Sequence, residues 1–366
     1  MRIAINAWFW DSPTTGSGQY VRRLVEQLSA MEGVEAVLVR AERRSQKADA
    51  GLRSQFHKLW FEQFCFPIAC MRLGADIAHV PYWASPLVTP LPTIVTIHDL
   101  IPLLLRDYRG SLPVRLYTAL VSLTARRAAL ILTDSQASRK DIITRLRLPP
   151  ERVRTIYLGI SEQYTPVPAP DDQAIRARYG LPERYLLYLG GFDVRKNITT
   201  LLRAYRLAAP VVGRSCPLLI VGRLPARDTP FAPDPRRLAR EEEVDTRLVC
   251  FVDFADELAK PAIYRGAIAF VFPSRYEGFG LPPLEALACG VPVVGSNTSS
   301  IPEIVGDAGV LLPPDDAEGM ARAMIQLVTD YDLRAELSRR ALIQAARFSW
   351  VRTARETLAA YREVCA

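Results

Sequence analysis

Hydrophobic and polar positions along this chain switch repeatedly between a strand period and a helix period. Short apolar runs predict strands at Arg2–Ala7, Ala36–Arg40, Ile77–Val80, Thr93–His98, Leu130–Asp134 and Val153–Ile156. Helical patterns fill the gaps at Gln19–Met31, Ser54–Leu73, Pro113–Arg126 and Ala137–Leu146. Such alternation predicts a parallel sheet with helices on both faces. The segment Tyr164–Asp171 then places Pro166, Pro168 and Pro170 within five residues, which neither a helix interior nor a central strand accepts. A second alternating series follows. Its strands are Tyr185–Leu189, Pro217–Val221, Leu248–Phe251 and Ala267–Phe272. Its helices are Thr199–Ala209, Pro283–Cys289, Ala317–Thr329 and the amphipathic stretch Leu333–Arg347. A last helix, Val351–Val364, carries apolar residues at Ala354, Leu358, Tyr361 and Val364. The expected organisation is one α/β domain over 1–164, a Pro-rich linker over 165–175, a second α/β domain over 176–347, and a terminal helix within 348–366.

The length of 366 residues suits two domains, and a 49% hydrophobic content suits two cores. No apolar run reaches the length of a membrane span, and Met1–Trp8 reads as a first strand rather than a signal peptide. The six cysteines show no metal-ligand spacing, and Cys216, Cys250 and Cys289 sit within or beside apolar runs. A cytoplasmic protein without structural disulfides or zinc is expected.

The net charge of +7 lies wholly in the first half. Residues 1–164 hold 21 Lys and Arg against 14 Asp and Glu, whereas residues 165–366 hold 25 of each. A basic half suits nucleic acid, or an anionic membrane surface with lipid-phosphate substrates, and it also describes a solvated face with no partner. No helix-turn-helix, zinc-finger or RNP pattern is present, so nucleic acid is not expected. The aromatic-rich stretch Phe56–Phe66 follows a basic run of Arg40, Arg43, Arg44, Lys47 and Arg53. That combination suits an interfacial surface, and aromatic residues at this spacing also suit a core.

Candidate chemistry concentrates at the ends of strands. Glu277 lies in the Gly/Pro loop after Ala267–Phe272, and Glu285 lies inside the helix that follows. The carboxyl ends of strands are where open α/β sheets bind ligands. Gly190 and Gly191 follow another strand and lead through Arg195, Lys196 and Asn197 into a helix. Glycine permits close backbone approach to a phosphate, and a helix N-terminus with two cations favours an anion. In the first domain His98 and His79 each end a strand, and Tyr82 and Trp83 follow His79 with rings that suit either a sugar face or core packing. Gly16 and Gly18 open the first helix. Val21 occupies the last position of what would otherwise be G-x-G-x-x-G, and no suitably placed acid follows about twenty residues on, which argues against a nicotinamide enzyme. Asp330-Tyr331-Asp332 spells a metal-binding triplet but falls between helical segments, where it reads as helix capping.

The Glu277/Glu285 spacing resembles the E-x7-E signature of retaining GT-B glycosyltransferases of family 4, or group 1. The Gly190–Asn197 segment is similar to that family's G-x-x-x-x-K/R-N. The strip Asn297–Glu303 and the His98-Asp99-Leu100 context look most like bacterial mannosyltransferases of surface polysaccharide assembly. The resemblance runs nearly full length, to Phe348-Ser349-Trp350. It implies two Rossmann-like domains with parallel sheets facing across a cleft, with the terminal helix packing back on the first domain.

It also implies roles. Arg195 and Lys196 would neutralise the leaving diphosphate, Glu277 would approach the donor sugar, and His98 would face that sugar from the other domain. Glu285 would bind the ribose hydroxyls. Gly16, Gly18, Gly190, Gly191 and the backbone of Gly278, Phe279, Gly280 and Leu281 would lie near the donor, and Glu303 would cap the nucleotide pocket. The acceptor side would include His79, Tyr82 and Trp83. No cofactor and no metal are implied. The donor would be a nucleotide-sugar, GDP-mannose by preference and UDP-glucose or UDP-N-acetylglucosamine otherwise. The acceptor would be a glycan or lipid-linked sugar docking on the basic half, at the inner face of the plasma membrane. A sugar-nucleotide epimerase and a non-catalytic nucleotide-sugar sensor stand as alternatives. The nucleophile and the oligomeric state stay open.

Overall fold

The computed structural model describes residues 1–12, 15–41, 52–110, 112–253 and 256–366. The chain divides into two compact units, Met1–Gly159 with Ser349–Ala366, and Ile160–Phe348. The Pro-rich segment lies inside the second unit, where Asp172–Arg178 is helical.

The first unit is a six-stranded sheet. Its strands are β1 (Arg2–Asn6), β2 (Glu35–Val39), β3 (Ile77–Val80), β4 (Thr93–Thr96), β5 (Leu130–Thr133) and β6 (Val153–Thr155). They lie in the order β2-β1-β3-β4-β5-β6, and every pairing is parallel. The inner strands are buried on both faces, as their unbroken apolar runs require. The strand at Thr93 stops at Thr96, two residues short of the prediction, so His98 sits on the loop beyond the sheet. Helix α1 (Gly16–Ser29) is capped by Thr15, whose hydroxyl accepts from the Gly18 amide. The long helix predicted over Ser54–Leu73 is interrupted. An α-helix over Leu52–Trp60 passes through a π turn at Phe61–Cys65 and resumes over Phe66–Arg72. Phe61 and Phe66 are core residues, while Phe56, Trp60 and Phe64 are exposed. The stripe therefore splits between core and solvent-exposed positions. Arg43, Arg44 and Lys47 of the basic run lie outside the described residues.

The terminal helix, Trp350–Cys365, belongs to this unit and packs against α1. Its buried Tyr361 hydroxyl lies 2.6 Å from His79 Nδ1, and the Thr96 hydroxyl lies 2.9 Å from His79 Nε2. Where the chain returns to the unit, Gly159 meets the Ser349–Trp350 backbone so closely that a Cβ would lie 2.1 Å from the Trp350 nitrogen.

The second unit repeats the plan with β7 (Tyr185–Leu189), β8 (Leu218–Val221), β9 (Val249–Val252), β10 (Ala267–Phe272), β11 (Val293–Ser296) and β12 (Gly309–Leu312). Their order is β12-β11-β10-β7-β8-β9, again all parallel. The order reverses between β7 and β10, and a crevice opens at such a switch point in a doubly wound sheet. No helix among the described residues is long and apolar enough to cross a membrane.

Tyr361→Phe removes one of the two hydroxyls that meet the buried His79 ring. It is expected to lower the unfolding free energy of the first unit by about 1–3 kcal/mol. Urea denaturation of the variant and the parent checks this.

Candidate functional site

The loops after β7 and β10 meet at the switch point of the second sheet. After β7 the chain runs through Gly190–Asp193 and a 3₁₀ turn, Val194–Lys196, to Asn197, and then into a helix over Ile198–Val212. Asn197 takes left-handed torsions, φ 57° and ψ 43°, which asparagine tolerates better than most residues. Its buried amide donates to Pro273 O at 3.2 Å and Pro314 O at 2.6 Å, and its carbonyl accepts from Thr200. One side chain thus ties together the loops after β7, β10 and β12.

After β10 the loop Pro273–Gly280 leads into the helix Leu281–Ala288. Gly280 adopts φ 112°, a conformation that side-chain-bearing residues rarely hold, and Pro282 and Pro283 start the helix. Glu277 is buried and faces the two cations. Arg195 Nη1 donates to its Oε2 at 2.5 Å, Lys196 Nζ donates to its Oε1 at 2.7 Å, and the Ser274 hydroxyl donates to Oε1 at 2.6 Å. Burial alone would push the Glu277 carboxyl up. Lys196 and Arg195 outweigh that and hold it below the usual carboxylate range. Arg195 also donates to Tyr276 O and lies 3.4 Å from Asp193. Lys196 rests over the Phe272 ring at 5.0 Å.

Glu285 has the opposite surroundings. It is buried on its helix and accepts from the Tyr264 hydroxyl at 2.9 Å. Burial raises its pKa, and Lys260 with the Tyr264 and Tyr164 hydroxyls only partly offset this. The strip after β11 carries part of the support. Ser299 Oγ accepts from the Glu277 amide at 2.9 Å, and Ser300 Oγ donates to the Glu277 and Phe279 carbonyls. The Phe279 ring packs edge-on against Phe348.

The glycines sort by environment. A Cβ on Gly18 would lie 2.0 Å from Ser12 O, so the loop before α1 closes only with glycine there, whereas Gly16 faces open space. A Cβ on Gly190 would lie 3.0 Å from the Tyr188 hydroxyl, while one on Gly191 would keep ordinary clearance.

In the first unit His98 is held by Asp134 rather than by its neighbour Asp99. Its Nδ1 lies 2.7 Å from Asp134 Oδ2, and its Nε2 lies 3.3 Å from Pro81 O. Both partners are acceptors, so the ring is fully satisfied only as imidazolium. Burial would lower its pKa, but Asp134 prevails and the net shift is upward. Two acceptor-side expectations are corrected. His79 has no exposed surface and meets a hydroxyl at each nitrogen; burial drives its pKa down to about 3. Tyr82 is a core residue whose hydroxyl donates to Asn6 at 3.0 Å. Neither offers a face to a sugar. Trp83 is half-buried against the same core.

The sequence did not point to Ser274, Tyr264, Tyr164, Lys260, Asp134 or Gly222. A Cβ on Gly222, just past β8, would lie 2.0 Å from Gly190 O. A glycine directly after a strand was the one available signal; the others act through contacts made only on folding. Asp330, of the D-x-D triplet, caps the helix Tyr331–Ala345 by accepting from Leu333 N.

Known proteins resemble this chain over most of its length. The family profile "Glycosyltransferase Family 4" matches residues 14–164, and "Glycosyl transferases group 1" matches 183–330. The O-antigen chain mannosyltransferase B of Escherichia coli is 34% identical over 270 residues, covering 74% of this chain and 70% of that protein. The chain belongs to the group 1, or family 4, glycosyltransferases. The serotype-specific mannosyltransferase WbdA of E. coli is 32% identical over 268 residues, which cover 72% of this glycosyltransferase but only 32% of WbdA. Among solved structures, sucrose-phosphate synthase from Thermosynechococcus elongatus aligns with a TM-score of 0.75 at 24% identity, covering 100% of this chain and 99% of that one. WaaG, a glycosyltransferase involved in lipopolysaccharide biosynthesis, aligns at 0.69 and 16% identity, covering 97% and 98%. The fold is GT-B.

Two outcomes test the electrostatics of this glycosyltransferase. A carboxyl with a raised folded-state pKa loses stability as pH rises above its unfolded value. Glu285→Gln is therefore expected to raise the melting temperature of the ligand-free protein by about 1–3 °C at pH 7.5 and to flatten its pH dependence; scanning fluorimetry across pH reads both. For His98 the raised pKa gives stability that is full below about pH 6.5 and declines as pH rises through the folded value. An NMR titration should place the His98 pKa above 6.5 in the parent protein and lower in Asp134→Asn, with His79 silent throughout.

Proposed function

We propose that this glycosyltransferase is a retaining hexosyltransferase that moves mannose from GDP-mannose to a hydroxyl of a glycan or lipid-linked acceptor in polysaccharide or glycolipid assembly. The observation that carries the reading is the Glu277–Arg195–Lys196 cluster at the switch point of the second sheet. The mannosyltransferases among its relatives support the choice of sugar.

In this reading the donor diphosphate lies against the β7 loop. Arg195 and Lys196 meet the negative charge that builds on it as the glycosidic bond breaks, the largest electrostatic demand of the reaction. The N-terminus of the helix at Ile198 adds a favourable dipole. Glu277 holds a sugar hydroxyl and lies close enough to stabilise oxocarbenium charge, while Glu285 accepts from the ribose hydroxyls, a geometry that suits a carboxylate with two oxygens. The acceptor hydroxyl attacks from the face that the diphosphate leaves, and no carboxylate is assigned as nucleophile. The side-chain cations do the work that a divalent ion does elsewhere, so transfer is expected to continue in EDTA. The acceptor binds the first unit, and the enzyme works in the cytoplasm at the inner face of an anionic membrane.

A thermal-shift panel of GDP, UDP, ADP and their common sugars tests the donor assignment. GDP and GDP-mannose are expected to raise the melting temperature by a few degrees through binding linkage. Lys196→Ala and Glu285→Ala should each remove most of that rise while the protein stays folded. A response to UDP alone would overturn the base assignment, and an unchanged response in both variants would overturn the residue roles. Product formation from GDP-mannose with and without EDTA separates side-chain from metal stabilisation.

A further inference from the structure

The first unit carries an apolar face that its own fold leaves uncovered. Along Leu52–Trp60, the π turn and Phe66–Arg72, the side chains of Phe56, Trp60, Phe64 and Ile68 recur every four residues, followed by Met71, and all are 42% to 68% exposed. In a regular α-helix a four-residue step overshoots a full turn by about 40°, so such a row drifts around the helix. The wider i→i+5 turn at Phe61–Cys65 is wound more loosely and takes that drift back, which keeps the row on one side. The helix Leu112–Ala125 lies alongside, since its Tyr117 hydroxyl donates to Glu62 of the π turn at 3.1 Å. It adds Leu112, Leu116 and Leu123, each more than half exposed. Gln63 bonds Leu87 N at 2.8 Å, and the next residue, Val88, is 75% exposed.

All but one of the charges on these segments are positive. Residues 52–72 and 112–127 include Arg53, Lys58, Arg72, Arg115, Arg126 and Arg127. Their single carboxylate, Glu62, is fully buried beneath Lys58 and Tyr117. The asymmetry extends to the whole unit, which holds 24 Lys and Arg against 15 Asp and Glu, while the second unit holds 22 against 24.

We propose that this face docks the glycosyltransferase on an anionic lipid bilayer, with the Phe56–Ile68 row and the leucines of the neighbouring helix entering the headgroup boundary and the arginines meeting lipid phosphates. An apolar row with aromatic residues flanked by cations is the pattern of an interfacial helix, and bilayer affinity follows its apolar area together with attraction to anionic headgroups. A second copy of the chain fits worse, because a two-fold contact would press two patches of cations together. The link to a lipid-carried acceptor rests on the function proposed above; the docking surface does not.

Flotation of the full chain with phosphatidylcholine vesicles, with and without phosphatidylglycerol, tests the inference. Binding is expected with phosphatidylglycerol, weak binding without it, and release as salt rises. Trp60→Ser combined with Phe64→Ser should weaken binding at least about tenfold, since two exposed side chains no longer leave water. Arg115→Glu with Arg126→Glu should weaken it on anionic vesicles selectively. In both double variants the melting temperature and its response to GDP should match the parent, so a failed donor reading and a failed docking surface show up in different measurements. Equal flotation of the apolar double variant would overturn the proposal. So would a parent protein that ignores anionic vesicles, or one that instead forms a Trp60-dependent dimer in sedimentation velocity.

Discussion

A buried carboxylate between a buried lysine and a partly buried arginine organises the second unit. Glu277 cannot lose its partners without leaving an uncompensated charge out of water, and Arg195 and Lys196 face the same constraint. The three side chains come from two loops that follow β7 and β10, strands that neighbour each other only because the sheet order reverses there. The ion cluster therefore fixes the register of the two loops, and the loops fix the start of the helices at Ile198 and Leu281. Asn197, Ser274, Ser299 and Ser300 complete the arrangement by satisfying backbone groups that the loops would otherwise leave unpaired.

The first unit solves a related problem with less charge. Its buried histidine, His79, is kept neutral and satisfied by hydroxyls from β4 and from the terminal helix, so the last sixteen residues of helix complete a polar core as well as an apolar one. His98, one loop away, is drawn toward the cationic form by Asp134. Two histidines that each follow or end a strand thus take opposite protonation behaviour, decided by a carboxylate that only the β5 strand end supplies.

That contrast marks the limit of what the sequence discloses. The strands of the first sheet and β7 to β10 of the second are legible to within a residue or two, because strands buried on both faces are unbroken apolar runs and glycines and prolines punctuate them. Tyr185–Leu189 and Ala267–Phe272 coincide with their predicted bounds. Elements that depend on local signals are therefore readable. The π turn at Phe61–Cys65 is not, since nothing in a periodic aromatic stripe distinguishes a continuous helix from one with a single wider turn. The charged residues at the switch point are visible as candidates, because charge at a strand end next to glycine is unusual. Their mutual pairing is not, because Arg195 and Glu277 lie 82 residues apart and meet only through sheet topology. The roles considered for His79 and Tyr82 fail for a similar reason: a strand-end position does not say which way the ring turns, and both rings turn inward.

The two glutamates that lie eight residues apart end in environments that pull their ionisation in opposite directions. Glu277 is stabilised as an anion by neighbouring cations, while burial works against the charge on Glu285. A fold optimised only for stability would place an apolar or amide group at position 285, where Tyr264 needs just an acceptor. Keeping an acid there leaves a carboxylate whose buried charge Lys260 and the Tyr264 and Tyr164 hydroxyls only partly offset. At Glu277 the reverse holds: Lys196 and Arg195 outweigh burial and stabilise the anion. Under the proposed function, donor binding then redistributes charge already present: the diphosphate shares Arg195 and Lys196 with Glu277, which lessens the hold on that carboxylate, while ribose hydroxyls supply donors to Glu285. The second change acts where the unliganded site is least comfortable, so the electrostatic cost of keeping the Glu285 acid buried becomes differential affinity for a ligand that brings hydroxyl donors to it.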